Sequence, residues 1–310
     1  FPANSKFMKI LTPQQLHVLC VRDHYDIEVS YLEGPSARVI SGCKSSDTKL
    51  VSWIHVEQHT MDNLAASFRN EKEAHWCYSR FDQTVCVSQC VYEDFCYLLN
   101  FQKPCTVLYN TIESDMIMNE ANETAPELLK DKKVRIIAVG TLKESKGFIR
   151  LLNIIRRLKD EKYPVHLYIL GKGPLQQKME AYISQNSLND SVTLLGYHTN
   201  PYKYISKCDL FVCSSFAEGF STAATEALIV GTPVCTVEVS GMKEMLGENN
   251  EYGLVVENTE EALYQGIRRF LKEPGSLEYY KKRAKIRGKY FSKEKTVQAV
   301  EKMLIQLCED

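Results

Sequence analysis

Glu218 and Glu226 stand with seven residues between them, the first just ahead of an apolar stretch over Thr222–Val230 and the second inside it. Carboxylates accept hydrogen bonds from vicinal hydroxyls, which suits them to a ribose or a hexose. The spacing alone says little, since glutamate is common, and Glu226 by itself fits a surface position. Upstream, Lys146-Gly147 opens another helical pattern, preceded by Gly140, Thr141 and Lys143. A lysine beside a helix start adds a full positive charge to free N–H groups and the positive end of the helix dipole, a setting suited to phosphate. Between Cys213 and the Thr222 helix runs Ser214-Ser215-Phe216-Ala217-Glu218-Gly219-Phe220-Ser221, where Gly219 permits close approach of backbone to a ligand. Taken singly, each loop is ordinary turn chemistry. Together on one sheet edge they describe a diphosphate site with sugars on either side. Neither loop matches a Walker P-loop or a G-x-G-x-x-G fingerprint.

Other candidate chemistry is weaker. His55 and His59 are four apart, as metal ligands on a helix can be. The order His-Val-Glu-Gln-His is not H-E-x-x-H, however, and Leu50–Ile54 before it has the composition of a strand, so no metal is expected. Each histidine is equally compatible with a structural role. The 11 cysteines include no C-x-x-C pair, and several, such as Cys213 and Cys235, lie in apolar runs. They are expected to be buried reduced thiols of a cytoplasmic protein, not a disulfide frame or a zinc site.

The elements that must position these residues follow a regular grammar. Strands are predicted at Val134–Val139, Val165–Leu170, Val192–Leu195, Leu210–Cys213, Val234–Val237 and Leu254–Val256. Helices are predicted at Gly147–Lys159, Leu175–Asn186, Thr222–Val230 and Thr259–Lys272. Strands alternating with helices imply a parallel, doubly wound sheet, and apolar runs without alternation fit strands covered on both faces. Ligands bind such sheets beyond the carboxyl ends of the strands, where the loops above lie. Upstream, Asp26–Tyr31, Lys49–Ile54, Thr84–Val87 and Thr106–Leu108 are fainter strand candidates, too few for a complete doubly wound domain. The chain starts at Phe1 rather than Met, and its first strands are expected to be missing. The expected layout is a partial first domain over 1–112, an acidic connector over 113–133, a second domain over 134–280, and a basic helical segment over 281–310.

The 310 residues, 44% hydrophobic and 25% charged, suffice for two soluble domains. A net charge of −1 argues against nucleic acid as a partner. No apolar run is long enough to cross a bilayer. Lys281, Lys282, Arg283, Lys285, Arg287 and Lys289 form either a solvated helix face or a contact for an anionic membrane surface.

Read together, Phe216-Ala217-Glu218-Gly219-Phe220, Glu226-Ala227-Leu228 and Gly231-Thr232-Pro233-Val234 resemble the E-x7-E signature of retaining GT-B glycosyltransferases of family 4. Val139-Gly140-Thr141-Leu142 with Lys146-Gly147-Phe148 resembles that family's phosphate loop. Gly171–Pro174, Leu195-Gly196-Tyr197 and Cys208-Asp209-Leu210 follow in the family's order. Ser240-Gly241-Met242-Lys243-Glu244 and Tyr252-Gly253-Leu254 resemble members that build bacterial surface polysaccharides. The likeness is close over 134–270 and looser over 26–112, where Trp53-Ile54-His55, Val87-Ser88 and Asn110–Glu113 are the landmarks.

The resemblance implies a GT-B fold, two Rossmann-like domains facing across a cleft, and transfer of a sugar from a nucleotide-sugar donor, UDP being the commonest base. The acceptor would be a glycan or a lipid-linked glycan. Lys146, with Gly140 and Thr141, would bind the diphosphate. Glu218 and the backbone at Gly219, Phe220 and Ser221 would hold the donor sugar, Glu226 the ribose, and Tyr197 the base. His55 would face the sugar from the other domain. No metal or other cofactor is implied, because lysine and helix ends would offset the charge of the departing diphosphate. The family has arginine where this chain has Thr141; Lys143, or the Thr141 hydroxyl, would have to substitute. A non-catalytic nucleotide-sugar-binding subunit, and an epimerase or phosphorylase on the same fold, are the alternatives.

Overall fold

The computed structural model describes residues 9–125, 128, 132–218, 220–239 and 241–309, and these divide into two compact units, 1–110 with 296–310 and 111–295.

The first unit holds a four-stranded parallel sheet in the order β1 (Ile27–Ser30), β2 (Lys49–Ile54), β3 (Gln83–Cys86), β4 (Cys105–Val107). Helix α1 (Pro13–Cys20) precedes β1 and opens with a capping box between Thr12 and Gln15. Between strands come α2 (Pro35–Ile40), α3 (Met61–Ala65), α4 (Glu71–Ser79) and α5 (Gln89–Leu99). Five of the six β2 residues are buried, as expected of a strand covered on both faces. Tyr78, Phe68, Phe81 and Phe95 form an aromatic core under α4 and α5. Fully buried Arg38 donates 3.0 Å bonds to both carboxylate oxygens of Glu73.

The second unit begins with α6 (Ser114–Glu120), inside the segment expected as a connector; of that segment, 126–127 and 129–131 lie outside the described residues. Six parallel strands follow: β5 (Val134–Val139), β6 (Val165–Leu170), β7 (Val192–Gly196), β8 (Leu210–Cys213), β9 (Val234–Val237) and β10 (Leu254–Val256). Their order is β10-β9-β8-β5-β6-β7. The chain therefore starts in the middle of the sheet, winds outward through β6 and β7, then crosses back to β8. Ile136 pairs with Leu210 across that switch. The intervening helices are α7 (Phe148–Asp160), α8 (Gln176–Gln185), α9 (Tyr202–Ile205), α10 (Thr222–Val230), α11 (Met242–Leu246), α12 (Glu260–Lys272) and α13 (Ser276–Gly288). The apolar stripe read from the α7 sequence, Phe148, Leu151, Leu152, Ile155 and Leu158, is buried against β5 and β6 residues. Each such side chain contributes roughly 1.5–3 kcal/mol.

The basic tail is not one helix. Helix α13 ends at Gly288, a short 3-10 turn spans Lys289–Phe291, and α14 runs Lys293–Glu309, with residues from Thr296 onward grouped in the first unit. Two of the six basic side chains are engaged internally. Arg283 donates to the Glu251 carbonyl, and Arg287 to those of Met245 and Glu244. Lys281, Lys282, Lys285 and Lys289 are exposed. Among the described residues no helix is long and apolar enough to cross a membrane.

Candidate active site

The loops leaving the carboxyl ends of β5 and β8 meet where the winding direction reverses, the place at which open α/β sheets bind ligands. The β5 loop makes a single 3-10 turn, Glu144–Lys146, before α7. Gly147 links them with φ +65°, and a Cβ there would lie 1.9 Å from the Ser214 carbonyl oxygen. Among the described residues no side chain caps the start of α7. The two loops are stitched by Phe216 N donating to Ser145 O (2.7 Å) and Ser214 Oγ donating to Lys146 O (3.0 Å).

These contacts bring the predicted lysine and first glutamate together. Lys146 Nζ lies 2.6 and 2.8 Å from the two Glu218 oxygens, and Ser215 Oγ donates to Oε1 at 2.5 Å. The pair is shielded, with side-chain exposures of 23% and 11%. Gly140 lies beside the aliphatic stem of Lys146: a Cβ there would sit 3.8 Å from its Cδ. Thr141 and Lys143 are exposed. The loop after β6 closes over this turn, since Leu142 N donates to Lys172 O (3.1 Å) and a Cβ at Gly171, φ +148°, would meet Gly140 O at 1.9 Å.

Glu226 sits on the second turn of α10 with a different neighbour. Tyr202 donates to its Oε1 at 3.4 Å. Burial pushes the Glu226 carboxyl up to about 7, only partly opposed by that bond. The Tyr202 phenol is in turn raised to about 12 by burial and by the Glu226 charge. Ser221 serves as the α10 cap, accepting from Ala224 N at 3.4 Å, and its residue is buried. Phe220 turns inward, its ring edge-on to Phe291 at 5.9 Å. Tyr197 is 62% exposed, with Lys172 Nζ 5.0 Å from its ring centre. Gly219 lies outside the described residues.

His55 belongs to the first unit, directly after β2. Its backbone N–H donates to Glu33 Oε2 at 3.0 Å, and its ring packs edge-on against Tyr31. Nδ1 is buried and has no hydrogen-bond partner among the described residues. Burial lowers its basicity more than Glu33 restores it, so the imidazole is neutral near pH 7.

Two residues were not singled out from sequence. One is Tyr202. The other is Arg150, one turn into α7 and 6% exposed. Its guanidinium donates to Ser214 O (2.7 Å), Ser215 O (2.8 Å) and Asn258 Oδ1 (2.8 Å), and stacks 4.1 Å from the Phe216 ring centre. Arg150 thus fixes the strand exit that carries Glu218. A buried arginine on an otherwise apolar face was the available signal.

A family model for glycosyl transferases group 1 matches residues 119–287. A Campylobacter jejuni N-acetylgalactosamine-N,N'-diacetylbacillosaminyl-diphospho-undecaprenol 4-alpha-N-acetylgalactosaminyltransferase is 38% identical over 205 residues, covering 66% of this chain and 54% of that protein. The chain thus spans about half the length of this curated relative. A glycosyltransferase from Rickettsia africae has a similar structure, with TM-score 0.81 at 16% identity, covering 100% of this chain and 84% of that one. Anabaena HepE in complex with UDP gives TM-score 0.77 at 16% identity, covering 95% and 80%. Two parallel α/β units with these neighbours are the GT-B class of fold expected from the sequence. With more than half its length matched by the family model, the chain belongs to the glycosyl transferases group 1 family.

Proposed function

We propose that this protein is a glycosyltransferase that moves a sugar from a UDP-sugar donor to a glycan or lipid-linked glycan, with retention, in bacterial surface polysaccharide synthesis. The observation that carries the reading is the meeting of Lys146 and Glu218 at the β5–β8 switch, beside the uncapped start of α7. Breaking the anomeric bond builds negative charge on the diphosphate and oxocarbenium character on the sugar. Lys146 and the α7 N–H groups offset the first without calling on a metal ion. Glu218 accepts from sugar hydroxyls, and Glu226, with Tyr202 beside it, accepts from the ribose. The acceptor hydroxyl attacks from the face the diphosphate leaves, and a departing phosphate oxygen takes its proton. UDP as the base is supported by the HepE complex, and a lipid-linked acceptor by the Campylobacter relative. Exposed Lys281, Lys282, Lys285 and Lys289 suit an anionic membrane surface at the cytoplasmic side.

A second reading, a nucleotide-sugar-binding subunit without turnover, is favoured by one observation. Thr141 stands exposed where the family's phosphate-binding arginine is expected. Radiolabelled UDP-sugars screened against undecaprenyl-diphosphate-linked glycans separate the two. Transfer to the lipid fraction supports the enzyme. UDP binding with no transfer to any acceptor supports the subunit, and release of an altered free sugar without acceptor overturns both.

A further inference from the structure

We propose that His17, Glu28 and Cys43 form a zinc(II) site in the first unit. They come from α1, β1 and the turn after α2, separated by 11 and 15 residues in sequence. The fold nevertheless gathers one ring nitrogen, one carboxylate oxygen and the thiol sulfur within 4.8 Å of one another. Spacing rules built on cysteine pairs do not find such a mixed set.

Three observations point to a cation. Glu28 and Cys43 are 6% and 3% exposed, so a carboxylate and a thiol share a buried position. Within the described residues, the Glu28 carboxylate has one hydrogen-bond partner, His17 Nε2 at 2.7 Å, and no hydrogen bond reaches the Cys43 sulfur. A buried carboxylate with a single partner is under-compensated, and a divalent ion among the three groups would satisfy all of them. Finally, the backbone at Cys43 is held in place, because the Arg80 guanidinium donates to the carbonyls of Ser41 and Cys43.

The donor set selects the metal. Thiolate, imidazole and carboxylate together suit zinc, whereas magnesium and calcium take oxygen alone. Zinc–ligand bonds of about 2.0–2.3 Å put tetrahedral ligand atoms about 3.5 Å apart. His17 and Glu28 would part by less than 1 Å or so from their present 2.7 Å, and the sulfur would close in. A pocket lined by these three residues and by Asp23 and His24 leaves room for a fourth ligand, water or one of those side chains. Such an ion would clamp α1 to β1 and to the turn before β2.

The test uses the full chain, reduced and stripped with a chelator, then titrated with cobalt(II) and back-titrated with zinc(II). The expected result is one equivalent of cobalt with a thiolate-to-metal charge-transfer band, displaced by zinc, together with a rise in Tm on adding zinc. The band should survive in the C20S/C308S double variant, which removes the two exposed cysteines, and vanish in C43S. E28Q should weaken zinc binding at least tenfold. If C43S does not fold, H17Q, which removes a ligand nearer the surface, must abolish the stoichiometric band instead. Absence of the band in wild-type protein, or a band that depends on Cys20 or Cys308, overturns the proposal.

Discussion

Lys146 grips both carboxylate oxygens of Glu218, at 2.6 and 2.8 Å, across 72 residues of sequence. The ammonium is thereby held beside the start of α7 while the carboxylate stays oriented by Ser215. On the proposed function, a donor diphosphate would compete for the lysine and leave Glu218 to accept from sugar hydroxyls, so that one ion pair would serve two ligand groups in turn. Lys146→Ala should lower kcat by about 10²–10³-fold, the usual cost of losing one donor aimed at developing charge. Lys146→Arg should recover only part of that, since a planar fork does not replace a compact ammonium. Steady-state kinetics with the productive UDP-sugar reads both variants, and an unchanged rate in the alanine variant removes Lys146 from the site.

Glu226 gives the site a pH dependence of predictable sign. Its carboxyl is raised from the ordinary 4.5 to about 7 by burial. Between those values the folded protein holds a proton the unfolded chain has lost, so this group's contribution to stability falls as pH rises and is at its lowest above about 7. Glu226→Gln should therefore raise Tm at pH 8 and leave it unchanged at pH 4. For binding the sign is opposite. The ionised carboxylate accepts ribose hydroxyls better than the neutral acid, so UDP affinity should tighten as pH rises through about 7 in the wild type and stay flat in the variant. Calorimetric titrations at pH 6 and pH 8 measure it; equal slopes in both proteins would take Glu226 out of the ribose contact.

The frame of the second unit was legible because its strands are mostly apolar and its long helices amphipathic. Five of its strands carry the predicted bounds, and the sixth, β7, extends by one residue to Gly196. Elements held by tertiary contact were not legible. Helix α6 has little periodicity and is stabilised by burial of Ile117 beside Ile112 and Ile229, so its sequence looked like a connector. Four-residue α9 is too short for a period to show. In the site, glycine and charge after the strands marked the two loops in which Lys146 and Glu218 meet, and that contact follows from strand order. What spacing could not show was which groups share a partner: Ser221 caps α10, Tyr202 meets Glu226, and Arg150 holds the β8 exit.

Arg150 acts through the loop it holds. Removing its guanidinium leaves the carbonyls of Ser214 and Ser215 buried without these donors, at about 1–3 kcal/mol each. Arg150→Lys can replace one bond at most and loses the stacking on Phe216. Its Tm should drop by several degrees. Because Glu218 is carried by this loop and Glu226 is not, the sugar contact should suffer more than nucleotide binding. KM for the UDP-sugar should rise while the Kd for UDP stays within about twofold, and a parallel loss of both would assign Arg150 a purely structural part.

His55 offers a neutral, part-exposed imidazole, a group able to take a hydroxyl hydrogen bond. The residues assigned to UDP all lie in the second unit. His55→Ala should therefore lower kcat by about 10²-fold, in the range of a positioned acid–base or hydrogen-bonding group, with UDP affinity unchanged. Fluorescence or calorimetric UDP binding alongside turnover distinguishes this from general misfolding.

Gly147, like Gly171, is a stringent local requirement of the site. A side chain there must tolerate φ +65° and also a Cβ 1.9 Å from Ser214 O. The first condition alone costs about 1 kcal/mol for a non-glycine residue. The second forces the β8 exit away from the Lys146 turn, breaking the bonds from Phe216 N to Ser145 O and from Ser214 Oγ to Lys146 O. Gly147→Ala should thus destabilise the protein by about 2–4 kcal/mol and separate Lys146 from Glu218. Thermal unfolding reads the first effect. The second appears as a loss of kcat comparable to that of Lys146→Ala, measured well below the variant's Tm. A variant that keeps full activity while losing stability would show that the lysine does its work without the loop contact.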